Sequence, residues 1–239
     1  MTNPIDTIFQ SSEAKPGSFV FDQRVANVFE DMISRSVPGY QQILEMLPTL
    51  TRQFSFEGKN YYDLGCSLGA GLLAMSQGLS DAQTQLIGID NSAAMLKHAT
   101  RNLKGLDAKL IENDLLSVEL NNAGMVLMNF TLQFIALEHR DKLVKRIYQS
   151  LTPGGALVLS EKIDFDNDKT NQILIDIHHQ YKADQGYSAL EIAKKRDAIV
   201  NVLVPESLDA HIVRLKKSGF SVVTPWVQNL QFISILAVK

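Results

Sequence analysis

The chain is short of cysteine, of long apolar runs and of surplus charge, and each shortage excludes something. One cysteine, Cys66, in 239 residues rules out an intramolecular disulfide and a thiolate metal cage, and it fits a reducing cytoplasm. No apolar run approaches the roughly 18 residues a membrane helix needs. Near the amino end, Asp6, Glu13 and Lys15 break up any signal-peptide pattern, so a cytoplasmic protein is expected. A net charge of −3 and a pI near 6.0 give no electrostatic reason for direct nucleic-acid binding. Internal repeats and low-complexity segments are absent too. What remains, at 45% hydrophobic, is enough for one sizeable core, so a single domain over 1–239 is expected.

The rest of the chain is organised around Tyr61-Tyr62-Asp63-Leu64-Gly65-Cys66-Ser67-Leu68-Gly69-Ala70-Gly71-Leu72-Leu73-Ala74, which reads as strand, tight loop and helix. Such a loop is expected to leave backbone N–H groups free for a ligand. It runs into Leu72 rather than Lys-Ser or Lys-Thr, so it is not a phosphate loop. Gly65, Gly69 and Gly71 do not give the dinucleotide spacing G-x-G-x-x-G. Gly65-Cys66-Ser67-Leu68-Gly69 is a literal G-x-S-x-G, the serine-hydrolase elbow. Against that reading, residues 1–60 are helical in pattern and hold no glycine-rich oxyanion segment. Acid-Leu-Gly-x-x-x-Gly instead resembles motif I of class I S-adenosylmethionine-dependent enzymes.

A nucleoside cofactor needs an acid for its ribose about 20 residues further on. Gln85-Leu86-Ile87-Gly88-Ile89-Asp90 supplies it, with Asn91-Ser92 as a helix cap. Asn113-Asp114-Leu115 follows a third strand. Asn129 ends the apolar Met125–Met128 run, where a polar residue needs a reason. Each of these can also be read as a cap or turn residue.

Residues 1–20 carry few periodic apolar positions and are expected to form a loosely ordered arm; apolar periodicity places helices over Phe21–Arg35 and Tyr40–Phe54, with a kink or stop at Pro48. Strands are expected at 60–64, 85–89, 108–112, 124–129 and 156–161, alternating with helices at 68–78, 92–103 and 137–151. The Pro153-Gly154-Gly155 turn is the last stop signal. This alternation argues an α/β fold with a mostly parallel sheet. Helices at 169–184 and 188–203 interrupt it, as a lid insertion over 166–204. A helix at 206–218 and strands Ser221–Trp226 and Gln231–Val238 close a seven-stranded sheet, its last strand antiparallel.

His178 and His179 are neighbours on a helix, about 100° apart, with only Asp176 one turn from either, so no metal site is expected. Lys182 adds positive charge under the lid. His98, His139 and His211 read as surface or boundary residues. Lys194-Lys195-Arg196 alone reads as a solvated helix face, and Tyr40 and Tyr187 alone as packing residues.

Several segments together carry a more specific likeness: Arg35-Ser36-Val37-Pro38-Gly39-Tyr40, Tyr62 to Ala70, Ile89-Asp90-Asn91-Ser92, and Asn129-Phe130-Thr131-Leu132-Gln133-Phe134. Leu159-Ser160-Glu161-Lys162, Gly186-Tyr187-Ser188 and Lys195-Arg196 complete it. Over almost its whole length the chain resembles the carboxy-S-adenosyl-L-methionine synthase family, which serves wobble-uridine modification of tRNA. The resemblance implies a Rossmann-like class I methyltransferase fold and a homodimer. It implies conversion of S-adenosyl-L-methionine and prephenate into carboxy-S-adenosyl-L-methionine and phenylpyruvate, by carboxyl transfer to the cofactor methyl through a sulfonium ylide, the product passing to a tRNA-modifying enzyme. By the same likeness Tyr40, Gly65, Cys66, Ser67, Asp90, Asn91, Asp114, Leu115 and Asn129 line the cofactor site, and Arg196 holds the added carboxylate in a planar fork. Gly71, Leu72, Ile163, Asp164 and Val227 depart from the family pattern and bear on pocket shape. The competing readings are a plain S-adenosylmethionine methyltransferase of a small molecule or RNA, and a non-catalytic cofactor-binding module.

Overall fold

Strong apolar runs in the middle of the chain fold into a sheet whose central strands are buried on both faces. The computed structural model describes residues 4–10, 19–80 and 83–239. Two helices, α1 (Gln23–Ser36) and α2 (Tyr40–Gln53), precede β1 (Asn60–Leu64), α3 (Ala70–Ser76), β2 (Gln85–Asp90), α4 (Ala93–Asn102), β3 (Ala108–Glu112) and β4 (Ala123–Asn129). A 3₁₀ turn, Leu132–Phe134, leads to α5 (Leu137–Ser150) and β5 (Leu151–Lys162). Then come α6 (Asp168–Asp184), α7 (Ala189–Ile199), α8 (Leu208–Ser218), β6 (Val222–Asn229) and β7 (Phe232–Val238).

The sheet order is β3-β2-β1-β4-β5-β7-β6. The first five strands pair parallel, and β7 pairs antiparallel with both β5 and β6. The order reverses at β1 and β4, so their carboxyl ends frame the crevice where open α/β sheets take ligands. One face packs Val126, Met128, Leu157 and Leu159 under α5 and α8; the other packs Tyr61, Met125, Leu127 and Val158 under α2 and α3.

Four expectations are corrected. Pro48 neither ends nor interrupts α2, which runs through it to Gln53. Pro153-Gly154-Gly155 lies inside β5, as an irregularity between the Ala123↔Leu151 and Met125↔Ala156 pairs; Gly154 at φ 77° supplies the backbone freedom a bulge needs. The second insertion helix stops at Ile199 rather than 203, because Asn201 takes φ 65° and Val200 bridges to Leu203. His211 is buried, with its ring against Arg214, not at the surface.

The arm before α1 is anchored as well. Within it Asp6 and Phe9 are buried, and Phe9 packs with Val25, Met32, Met95 and Ala198. Residues 11–18 of that arm lie outside the described residues.

Candidate functional site at the carboxyl edge of the sheet

Asp63 sits at the end of β1, only 3% exposed. Burial pushes its carboxyl up to about 7, the nearby Asp90 charge adds to that, and the Leu72 N–H pulls the other way. Gly71 lacks a side chain for a visible reason: a Cβ there would collide with the Asp63 carboxylate and Leu127. Gly65, at φ 79°, is held against Thr131, whose side chain would meet any Cβ.

The loop's donors are not free, contrary to expectation. Gly65 and Cys66 N–H both donate to the Ile89 carbonyl (2.8 and 3.0 Å), and Gly69 N–H donates to Cys66 O at 2.8 Å. Ser67 N–H donates to Asp90 Oδ2 at 2.9 Å. The cause is register. Leu64 and Ile89 are paired at the ends of β1 and β2, so the chain leaving β1 crosses directly over the last carbonyl of β2.

Asp90 is therefore a hub. Its second oxygen accepts from Ser92 N–H at 2.9 Å; burial raises its pKa and these backbone donors lower it. Ser92 caps α4 and donates its hydroxyl to Phe21 O at 2.6 Å, which ties the entry to α1 over the same edge. Phe21 stacks edge-on against Phe134, centroids 5.2 Å apart. Asn91 is exposed on the rim.

Cys66 is buried among Leu72, Leu96 and Leu103, and burial drives its thiol upward, so it is an inert filler. Ser67 has the positive φ, 49°, of a nucleophile elbow, yet its hydroxyl is directed at Met95 Sδ, 3.6 Å away. With no histidine as its partner among the described residues, the hydrolase reading has no base.

Tyr40 opens α2 and faces Phe130, ring centroids 6.5 Å apart. Burial, then the Asp63 and Glu30 charges, keep its phenol protonated. Asn129 ends β4, and its Oδ1 is buried without a hydrogen-bond partner among the described residues. Such an atom is costly unless a ligand donor meets it. Thus Tyr40, Asp63, Gly65, Ser67, Asp90 and Asn129 share one edge. Asp114 is exposed and accepts from Leu116 N–H at 2.8 Å, closing a turn. Leu115 goes into the core with Leu64 and Ile89.

Arg196, on α7, is exposed: its side chain is 59% accessible, and among the described residues its ion pair is with its neighbour Asp197, at 3.0 Å. It is close enough to act on the His179 charge. Below it, Lys195 is buried, 2.8 Å from Ser36 Oγ and 3.8 Å from Asp6 Oδ2. Tyr187 donates to the same Asp6 oxygen at 2.7 Å, with the Arg35 guanidinium 4.0 Å over its ring. His178 Nε2 lies 2.8 Å from Ser36 O, and burial pushes that imidazole down to about 3.

The sequence reasoning gave no role to Glu161, Lys162 or Asp6, although the first two stand in a segment that carries the family likeness. Both Glu161 oxygens accept, from Leu132 and Gln133 N–H at 2.9 and 2.8 Å, and Gln133 Oε1 accepts from Lys162 N–H at 2.9 Å. That pair fixes the chain just after Asn129. Charged residues ending an apolar strand were the available signal for Glu161 and Lys162, the same one that found Asp90. Asp6 had none, since a lone acid in a polar arm fits no pattern.

An acid-bearing glycine loop, a second-strand carboxylate and this strand order define a class I S-adenosylmethionine methyltransferase fold. A methyltransferase-domain family model matches residues 62–155, the loop-to-β5 part of the edge just described. An O-methyltransferase family protein from Burkholderia thailandensis superposes with TM-score 0.65 at 16% identity, over 95% of this chain and 65% of that one. Whole-length comparison goes further. The carboxy-S-adenosyl-L-methionine synthase of Hahella chejuensis is 46% identical over 100% of both chains. That of Stutzerimonas stutzeri is 45% identical over 99% of both. The chain belongs to the carboxy-S-adenosyl-L-methionine synthase family, a family of transferases.

Proposed function

We propose that this protein converts S-adenosyl-L-methionine and prephenate into carboxy-S-adenosyl-L-methionine and phenylpyruvate, in the cytoplasm, as a homodimer whose product goes to a tRNA-modifying enzyme. The observation that carries it is end-to-end kinship with the named synthases, which spans both the cofactor edge and the α6–α7 insertion. Bound S-adenosylmethionine supplies a sulfonium-activated methyl group as carboxyl acceptor. Asp90 takes the ribose diol, with Gly65, Cys66, Ser67 and Asn91 around it. The unpartnered Asn129 Oδ1 and the buried Asp63 fit the cationic amino-acid end. Asp114 and Leu115 serve the adenine rim, Leu115 through its backbone. Tyr40 and Phe130 wall the sulfonium.

Prephenate loses one carboxylate as carbon dioxide and its hydroxyl as hydroxide while its ring becomes aromatic. The hydroxide leaves as water with the methyl proton, and the carbon dioxide stays on the methyl carbon, so atoms and charge balance. The chain's own work is positioning and exclusion of water. One domain does it, with α6 and α7 as lid, and without a metal. Arg196 closes on the added carboxylate; its exposed pairing with Asp197 is weak enough to exchange.

Mass spectrometry of ligand released from purified protein tests the reading. A carboxylated cofactor supports it. S-adenosylmethionine or its homocysteine product alone favours a plain methyltransferase, and a bound ligand without turnover of prephenate favours a silent module. Arg196→Ala should weaken the carboxylated ligand much more than S-adenosylmethionine in calorimetry; equal weakening removes Arg196 from the site.

A further inference from the structure

Beneath the insertion lie lysine side chains drawn wholly or partly out of water, and they are only partly answered. Lys195 has Asp6 and Ser36. Lys182, one turn beyond His178 on α6, is 9% exposed. Lys162 ends β5, half-buried, directly across from Phe232 of β7. Neither forms an ion pair or a side-chain hydrogen bond among the described residues. Their own hold on the proton is weakened: burial, then the Lys162 charge, bring Lys182 down to about 8, and burial lowers Lys162 against the pull of Asp164. Two like charges drawn from water and near enough to act on one another cost stability unless an anion meets them.

The apolar surface beside them runs to the cofactor edge. His178 packs on Phe232 at 5.0 Å, Phe232 on Phe130 at 6.0 Å, and Phe130 on Tyr40 at 6.5 Å between ring centroids. A small molecule that carries a carboxylate on an unsaturated ring matches both halves, charge against lysine and ring against aromatics.

We infer that Lys162 and Lys182 seat the carboxylate that the co-substrate keeps, the oxoacid group that survives in phenylpyruvate. This rests on the proposed reaction for the identity of the anion. The assignment to the retained group follows from electrostatics. An ion pair to the departing carboxylate would hold charge that must disappear as neutral carbon dioxide is released, and so would slow the step; a pair to the retained group costs nothing there. Arg196, exposed above, stays available for the new carboxylate.

The test uses Lys162→Met and Lys182→Met. Each replaces a charge, buried in Lys182 and half-buried in Lys162, by an apolar side chain of similar length, so thermal stability should be unchanged or higher. Binding of phenylpyruvate, measured directly by calorimetry in the presence of S-adenosylmethionine, should weaken at least tenfold in each variant. The KM for prephenate should rise by a similar factor, with kcat falling less and S-adenosylmethionine affinity unchanged. Wild-type phenylpyruvate binding in both variants overturns the inference, as does a wild-type protein that binds no phenylpyruvate. The binding measurement needs no turnover. If the wild type binds phenylpyruvate through these lysines yet forms no carboxylated product, the proposed reaction fails and the anion seat stands.

Discussion

The two sides of the carboxyl edge are built on opposite terms. On the β1–β2 side the polar loop is already satisfied from within: Gly65, Cys66, Ser67 and Ser92 N–H all have protein acceptors. On the insertion side, Lys162 and Lys182 are drawn out of water without an ion pair among the described residues, and Arg196 pairs with its neighbour Asp197. The first side is a preorganised cradle, with its ordering cost met on folding. The second keeps unmet charge, and its favourable partner is a ligand. Preorganisation suits a cofactor bound whole, whereas unmet charge suits a group that arrives or forms as carboxylate.

Variants can break this contrast in order of effect. Asp90→Ala removes the acceptor that fixes Ser67 and Ser92 as well as the proposed ribose contact. S-adenosylmethionine affinity should drop by about 3 kcal/mol, over a hundredfold, in calorimetry. Gly71→Ala drives a methyl into Asp63 and Leu127 and should lower stability by about 1–3 kcal/mol in denaturant unfolding. The insertion side should behave in the reverse way, since removing its lysines leaves stability intact.

A pH titration sharpens the contrast further. The folded Asp63 pKa of about 7 lies above the ordinary 3.8, so its contribution to stability is complete below 3.8 and is lost as pH rises through 7. A cationic ligand prefers the ionised form. Its affinity should therefore strengthen by up to tenfold per pH unit below about 7 and level off above, with proton release in calorimetry; a flat profile removes Asp63 from the amino-acid end. The smallest effect belongs to Ser67→Ala. It keeps the N–H to Asp90 and loses only the Met95 contact, so stability and turnover should change by about 0.5 kcal/mol or less.

Legibility in the sequence followed the same division. β1 to β4 emerged within one residue of their ends; β2 and β4, buried on both faces, are apolar runs that stop where the edge begins, whereas β3, at the sheet's margin, is only partly buried. Asp90 and Asn129 were legible as polar residues closing those runs. Gly71, a departure from the family pattern, became intelligible only once Asp63 was seen beneath it. The occupied loop donors could not be read, since they depend on Leu64 and Ile89 ending side by side. Nor could the pairing of Tyr187 with Asp6, 181 positions apart, or the passage of α2 through Pro48, where tertiary packing overrides local preference.

The Asp6 contacts carry a practical corollary. The same carboxylate receives the Tyr187 hydroxyl and stands beside Lys195, and Phe9 packs against Ala198, so the first described residues are fastened to the insertion. A purification tag fused ahead of that segment, or a trimmed expression boundary past it, would tug on the very helix that bears Arg196, and assays of such preparations would report on the handle as well as on the enzyme.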